Sequence, residues 1–270
     1  MPRTDSKPPL IEQRVQNRVL WLTLNAPERR NPLSLEMISE LHRALKAAVT
    51  APEPRVIVIA AKGPVFSAGH DLTEMSSDRP DMAKGQEEKQ REILVACREM
   101  MIEIVESPLP VIACVQGMAT AGGCQLASSC DLVLASEAAT FCTPGVNIGG
   151  FCTTPLVAIG RKMRRNHAME LALTGDTFSA QDAHRFGLVN RIFPPSEVEN
   201  QTQRFAENIA AKSSQAIAKG KKAFYQQIDM PLGEAYGFAT ERMIETMNTE
   251  DSKEGIRAFF EKREPKWTGI

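Results

Sequence analysis

Apolar residues recur along the chain at two spacings, and the switches between them predict its elements. Ile11–Val15 and Arg18–Asn25 read as strands joined in a hairpin at Gln16-Asn17. Ser34 then caps a helix whose Leu35, Ile38, Leu41, Leu45 and Val49 share one face, and Pro52 and Pro54 stop it. Val56–Ala61 is an unbroken apolar run of the kind covered on both faces. A strand-to-turn transition follows in Gly63-Pro64-Val65-Phe66-Ser67-Ala68-Gly69-His70-Asp71-Leu72. The polar run 76–92, with Asp78, Arg79, Pro80 and Asp81, reads as a surface loop, after which Ile93, Ala96, Met100 and Ile104 mark a helix.

Leu109–Val115 reads as a buried strand leading into Gln116-Gly117-Met118-Ala119-Thr120-Ala121-Gly122-Gly123-Cys124-Gln125-Leu126, with a small-faced helix through Cys130. A strand that breaks at glycines and restarts as a helix leaves backbone N–H groups free where the peptide dipoles favour negative charge. Such a turn can hold an anion, or an oxygen that becomes negative during reaction. Equally, its glycines can serve only to let helix and sheet pack closely.

Asp131–Ala135 is a further strand, and Phe141–Gly150 an irregular loop. Arg164–Thr174 reads as a helix ended by Gly175, and Ser179 with Asp182 as the cap of a short helix ended by Gly187. After a last strand at Leu188–Phe193, Ser196 with Glu199 as partner caps a region that is helical to the end. Alternating strands and helices predict an α/β core over 1–195, and a helical unit over 196–270.

Composition narrows the classes of function. The formal net charge of -1 over 270 residues gives no support for nucleic acid or an anionic membrane as partner. No apolar run is long enough to span a bilayer. Six irregularly spaced cysteines without a C-x-x-C pair point to reduced thiols and a cytoplasmic protein. A mitochondrial form with its transit peptide removed is the second reading. His42, His70, His167 and His184 show no metal-ligand spacing, so no metal is expected. Neither a phosphate-loop glycine motif nor a G-x-S-x-G elbow occurs.

Three segments in order carry a resemblance: Phe66–Leu72, Gly122-Gly123-Cys124, and Leu173–Asp176 with Ser179–Ala183 and Gly187-Leu188-Val189. Together they resemble the crotonase (enoyl-CoA hydratase/isomerase) superfamily, from about residue 10 to Phe259–Arg263. Thr143–Asn147 and Phe151–Pro155 resemble one branch of it in particular. The resemblance implies a spiral of ββα turns with a C-terminal helical trimerisation domain, and trimers that pair into hexamers. It implies an oxyanion hole made by the backbone N–H groups of His70 and Gly122, holding the thioester carbonyl of an acyl-CoA in lyase or isomerase chemistry of fatty acid metabolism. No cofactor would be resident, coenzyme A arriving as part of the substrate. Backbone around Ala68, His70, Asp71 and Leu72 would receive its adenine and pantetheine, while Phe259 and Lys262 would reach the coenzyme A of a neighbouring subunit. Arg29 and Arg30 are not counted as phosphate ligands.

The sequence departs from that pattern at the chemistry. Hydration needs one carboxylate to activate water and another to deliver a proton. By the resemblance these would stand at Gln125 and Gly145, neither of which can act as a base. Asp131 reads as a structural cap, Glu137 as part of an exposed turn, and Glu74 as a surface acid. Replacements to weigh are the imidazole of His70, a thiolate from Cys124, Cys142 or Cys152, and Asn147 or Gln125 positioning water. The expectation is therefore an acyl-CoA-binding protein on this scaffold, doubtful as a hydratase. The alternatives are isomerase, thioester hydrolase, decarboxylase or purely regulatory binding. An interaction protein acting through its oligomer surface is the weakest reading.

Overall fold

A computed structural model describes residues 8–76 and 85–269. The turn expected at Asp78–Asp81 lies outside the described residues. Strands and helices are numbered in chain order. The larger sheet runs β1 (Ile11–Gln16), β2 (Val19–Leu24), β3 (Val56–Ala61), β5 (Val111–Val115), β7 (Leu132–Ser136) and β10 (Arg191–Phe193), parallel from β2 onward. The smaller runs β4 (Val65–Ser67), β6 (Met118–Thr120), β8 (Thr140–Cys142) and β9 (Phe178–Ser179), with only β9 antiparallel. Successive strands alternate between the sheets, β3 then β4, β5 then β6, β7 then β8. Helices carry the chain back: α1 (Leu35–Thr50), α3 (Gln86–Glu106), α4 (Gly122–Ser129), α5 (Thr153–Lys162) and α6 (Arg165–Thr174). This is a mixed α/β fold, as the alternation of strands and helices along the sequence predicts.

The unbroken apolar strands are double-sided. Ile57 and Ile59 of β3 and Val111, Ala113 and Val115 of β5 enter the main core, under α1 and α3. Val56, Val58 and Ala60, with Ile112 and Cys114, face the other way, into a second cluster closed by Val198, Ala206 and Ala210 of α8 (Val198–Ala210). At about 25 cal/mol per Å² of apolar surface, burial of this kind is the main stabilising term. Helix α8 lies beyond the boundary expected at residue 195, yet it seals the sheet.

Several local readings are corrected. The hairpin turn is Asn17-Arg18, both at positive φ (49° and 65°), as a two-residue turn between twisted strands requires. The polar stretch read as loop becomes helix from Gln86, where Gln86 and Gln90 both donate to Met75 O at 2.7 Å and Glu87 and Glu88 sit at the favourable dipole end. Phe141–Gly150 begins within β8 and continues as a 3-10 helix, Pro144–Ile148. Helix α5 was not anticipated at all. Ser196 does not cap α8: Glu197 occupies that position, and the carbonyl of Pro194 accepts the amides of Glu197 and Val198 instead.

Helices α9 (Ser214–Gln227), α10 (Leu232–Met247) and α11 (Glu250–Glu261) complete the chain. Neither α9 nor α10 buries a residue, and Leu232, Tyr236 and Met243 are exposed. One polar cluster fastens α9 to the core. Asp131 accepts from Val111 N (2.7 Å) and Tyr225 Oη (2.9 Å) and pairs with Lys221 at 2.8 Å, while Lys221 also donates to Ile104 O and Leu109 O, both at 3.1 Å. Asp131 is thus the structural group expected of it. Lys221→Ala removes the cation paired with that carboxylate and the donor to Ile104 O and Leu109 O, so urea unfolding should show a loss of about 3 kcal/mol. A change below about 1 kcal/mol would mean that the pair is solvated. Among the described residues no helix is long and apolar enough to cross a membrane.

Candidate active site

Strands β4 and β6 run side by side in the smaller sheet, so the turns that follow them emerge together. Gly69 lies at φ 84°, and a Cβ there would stand 3.0 Å from both Gly122 N and Thr120 O. A Cβ on Gly123 would stand 2.7 Å from Ser67 Cβ and nearer still to Ser67 O. These glycines therefore permit close packing, and that packing brings the two turns into contact.

The amides of His70 and Gly122 have no acceptor among the described residues. His70 forms a parallel bridge with Leu33, whose bonds run from Leu33 N to Gly69 O (2.8 Å) and from Asp71 N to Leu33 O (3.4 Å), so His70's own N–H stands outside the ladder. Gly122 is the first residue of α4, whose first helical bond is Gln125 N to Ala121 O; the Ala121 amide is taken by Cys142 O at 2.9 Å. Ala121 itself sits at φ 48°, ψ −115°, a conformation costing a non-glycine residue about 1–3 kcal/mol and typical of functional turns.

The scaffold around the turns is hydrogen-bonded throughout. Asn31, fully buried, accepts from Ala26 N (2.9 Å) and donates to Lys62 O (2.9 Å) and Val65 O (2.8 Å), while its carbonyl accepts from Ser67 Oγ (2.8 Å). Sequence reasoning missed this residue, although Asn31-Pro32 is a turn signal. Asp71 caps the short helix α2 (Leu72–Met75) through Thr73 and pairs with Arg29. Burial pulls its pKa upward, but the Thr73 hydrogen bonds and the Arg29 cation outweigh this and hold it below the ordinary carboxylate value. Ala68 donates its N–H to Arg30 O, and Leu72 is exposed.

The side chain of His70 packs against Gly122: its Nδ1 and Cε1 lie 3.3 Å from where a Gly122 Cβ would be. Burial holds its pKa below the usual histidine value, and Nε2 is buried without a partner. One turn along α4, Gln125 is 6% exposed and its Oε1 is likewise buried and unpartnered. Gln125 borders a cavity of about 790 Å³ between α3, α4 and α5, lined by Met101, Ile102, Val105 and Val157. The acids on its border are Glu87, paired with Arg91, and exposed Glu106.

Gly145 lies in the 3-10 helix, and a Cβ there would meet Cys152 Sγ at 3.0 Å and Cys152 N at 3.2 Å. A thiol thus occupies the space beside that position. Burial pushes Cys124 up to about 12 and raises Cys152 as well, which keeps both as thiols and weakens the thiolate reading. Asn147 packs against Gly175, and Glu74 accepts from Leu35 N at 2.9 Å, at the start of α1. Glu137 lies in an exposed turn. Phe259 is 78% exposed, edge-on to Phe260, and borders a separate groove with Ser213 and Trp267; Lys262 ends α11 in the left-handed conformation. Within one chain neither joins the cavity that Gln125 borders. Among the described residues no cluster of metal-ligating side chains occurs.

Comparison with known proteins agrees with this geometry. The family model "Enoyl-CoA hydratase/isomerase" matches residues 14–270. Mitochondrial enoyl-CoA hydratase domain-containing protein 3 of Rattus norvegicus is 41% identical over 264 residues, covering 98% of this chain and 86% of the relative. The crystal structure of the human domain-containing protein 3 superposes with a TM-score of 0.90 at 39% identity, over 96% of this chain and all of that one. An enoyl-CoA hydratase structure from Mycobacterium smegmatis gives a TM-score of 0.90 at 40% identity, over 96% of this chain and 99% of the other. The branch resembled by Thr143–Asn147 and Phe151–Pro155 is that of the domain-containing protein 3. With paired glycine turns, alternating sheets and near full-length similarity in agreement, the chain belongs to the enoyl-CoA hydratase/isomerase family.

Proposed function

We propose that this protein binds acyl-CoA thioesters, with the thioester oxygen received by the amides of His70 and Gly122, and acts on them without the paired carboxylates of hydration. The observation that carries this reading is the pair of acceptor-free amides on two turns in contact. Enolate-like charge on that oxygen would meet two fixed donors, each worth about 3 kcal/mol at such a site. Coenzyme A would enter with the substrate along Ala68, Asp71 and Leu72. The Ala68 N–H being taken, its carbonyl is the free group there.

Phe259 and Lys262 would act across a homotrimer interface, and the exposed apolar side chains of α10 and α11 favour such an assembly, with hexamers as trimer pairs. The relatives' mitochondrial names favour a mitochondrial location over the cytoplasmic one read from the cysteines. A second reading, acyl-CoA binding without turnover, is favoured by Gln125 and Gly145 in place of two acids.

Calorimetry with butyryl-CoA and an absorbance assay with crotonyl-CoA separate these readings. The wild type is expected to bind, and Gly122→Pro, which removes one amide hydrogen, to bind about tenfold more weakly. Crotonyl-CoA loss no faster than with Gly122→Pro removes hydration and leaves binding. Failure to bind any CoA ester removes both readings. In a double variant restoring acids, Gln125→Glu with Gly145→Glu, the new Cβ at 145 would meet both the Cys152 thiol at 3.0 Å and its backbone N at 3.2 Å.

A further inference from the structure

We infer that the imidazole of His70 is the proton acceptor of this site, taking a hydrogen from the carbon next to the thioester carbonyl. The inference rests on the acyl-CoA reading above and deepens it by naming a base and a reaction class.

Two polar side chains flank the Gly122 turn with a buried atom that no protein group satisfies: His70 through Nε2 and Gln125 through Oε1. Buried polar atoms are nearly always paired, so an unpaired one beside two free amides marks a place where a ligand completes the bonding. Of the two, only the imidazole can take a proton near neutral pH. Its place suits that task. The ring lies against the glycine whose amide is one oxyanion donor, and the amide of the same histidine is the other. In a thioester the α-carbon is two bonds from the carbonyl oxygen, so an oxygen held by these amides places that carbon close to the contact of the His70 ring with Gly122. Burial disfavours the charged imidazole, and Nε2 has no hydrogen-bond partner among the described residues.

The step balances without a co-reactant. The α-C–H bond breaks, its electron pair becomes an enolate whose charge rests on the thioester oxygen, and the proton forms a new N–H bond on the imidazole. The imidazolium then returns a proton to the same carbon, giving exchange with solvent, or to the γ-carbon of an unsaturated chain, shifting its double bond. Hydration would need a second base for water, which Gln125 cannot supply. Proton shuttling needs only one.

Butyryl-CoA in D₂O, followed by NMR at its α-hydrogens, tests this with the full chain. The wild type should exchange them. His70→Asn keeps the backbone amide, so it should still bind butyryl-CoA within a few-fold while exchange falls about 100-fold or more. In His70→Ala, added free imidazole should restore part of the exchange. Equal exchange in His70→Asn and wild type would overturn the inference, as would a wild type that binds butyryl-CoA and exchanges nothing. A wild type that binds no CoA ester would instead remove the acyl-CoA reading, and the inference with it.

Discussion

Gly123→Ala is expected to destabilise the protein by about 3 kcal/mol and to weaken acyl-CoA binding, although alanine is the better helix former. Local propensity favours the substitution by about 1 kcal/mol. Opposing it, the new methyl would stand 2.7 Å from Ser67 Cβ and closer to the Ser67 carbonyl, which belongs to the backbone of β4 and cannot swing aside. Relief requires α4 to move away from β4, and that motion separates the amides of His70 and Gly122. The neighbouring Gly122→Ala is the control. Its methyl would meet only side-chain atoms, Leu33 Cδ1 at 3.2 Å and the His70 ring at 3.3 Å, so less than about 1 kcal/mol should be lost. Urea midpoints of the pair check this, and equal stability of Gly123→Ala and wild type would contradict the close approach of the turns.

Asn31→Ala should cost about 3–5 kcal/mol, because it leaves Ala26 N, Lys62 O and Val65 O without partners in a fully buried position. The backbone adds a smaller part: Asn31 sits at φ 50°, which asparagine and glycine tolerate better than alanine. Asn31→Gly separates the two contributions, since it keeps the conformation and loses only the side-chain bonds. A Gly variant as stable as wild type would show that those bonds contribute little. If they carry the cost, acyl-CoA affinity should fall in both variants, because Asn31 holds the start of β4, from which the His70 turn departs.

Much of this was legible in the residues. Ser34 caps α1, with its side chain accepting from Met37 N, because a hydroxyl before an apolar period of 3.6 has few other uses. Val56–Ala61 became a strand buried on both faces, as an apolar run without alternation requires. The two glycine turns stood out because glycine is the residue for such places: at Gly69 a Cβ would be strained at φ 84° and crowd Gly122 N and Thr120 O at 3.0 Å, and at Gly123 it would run into the Ser67 backbone. Other features were not legible. The charged start of α3 reads as loop until Met75 O is there to accept from Gln86 and Gln90. Short strands such as Met118–Thr120 carry too few residues for a period, and only their partners in the smaller sheet identify them.

The site divides the same way. Sequence alone determined which residue types are present: glycines at two strand-to-turn transitions, a glutamine and a glycine where the family resemblance would place acids, and a histidine within one of the turns. Tertiary structure alone decided how they meet. It laid β4 beside β6, set the His70 ring on Gly122, and left its Nε2 and the Gln125 oxygen unpartnered. The reason is that residue identity sets what a group can donate or accept, whereas contacts between positions more than fifty residues apart arise only when sheets and helices bury their apolar faces together.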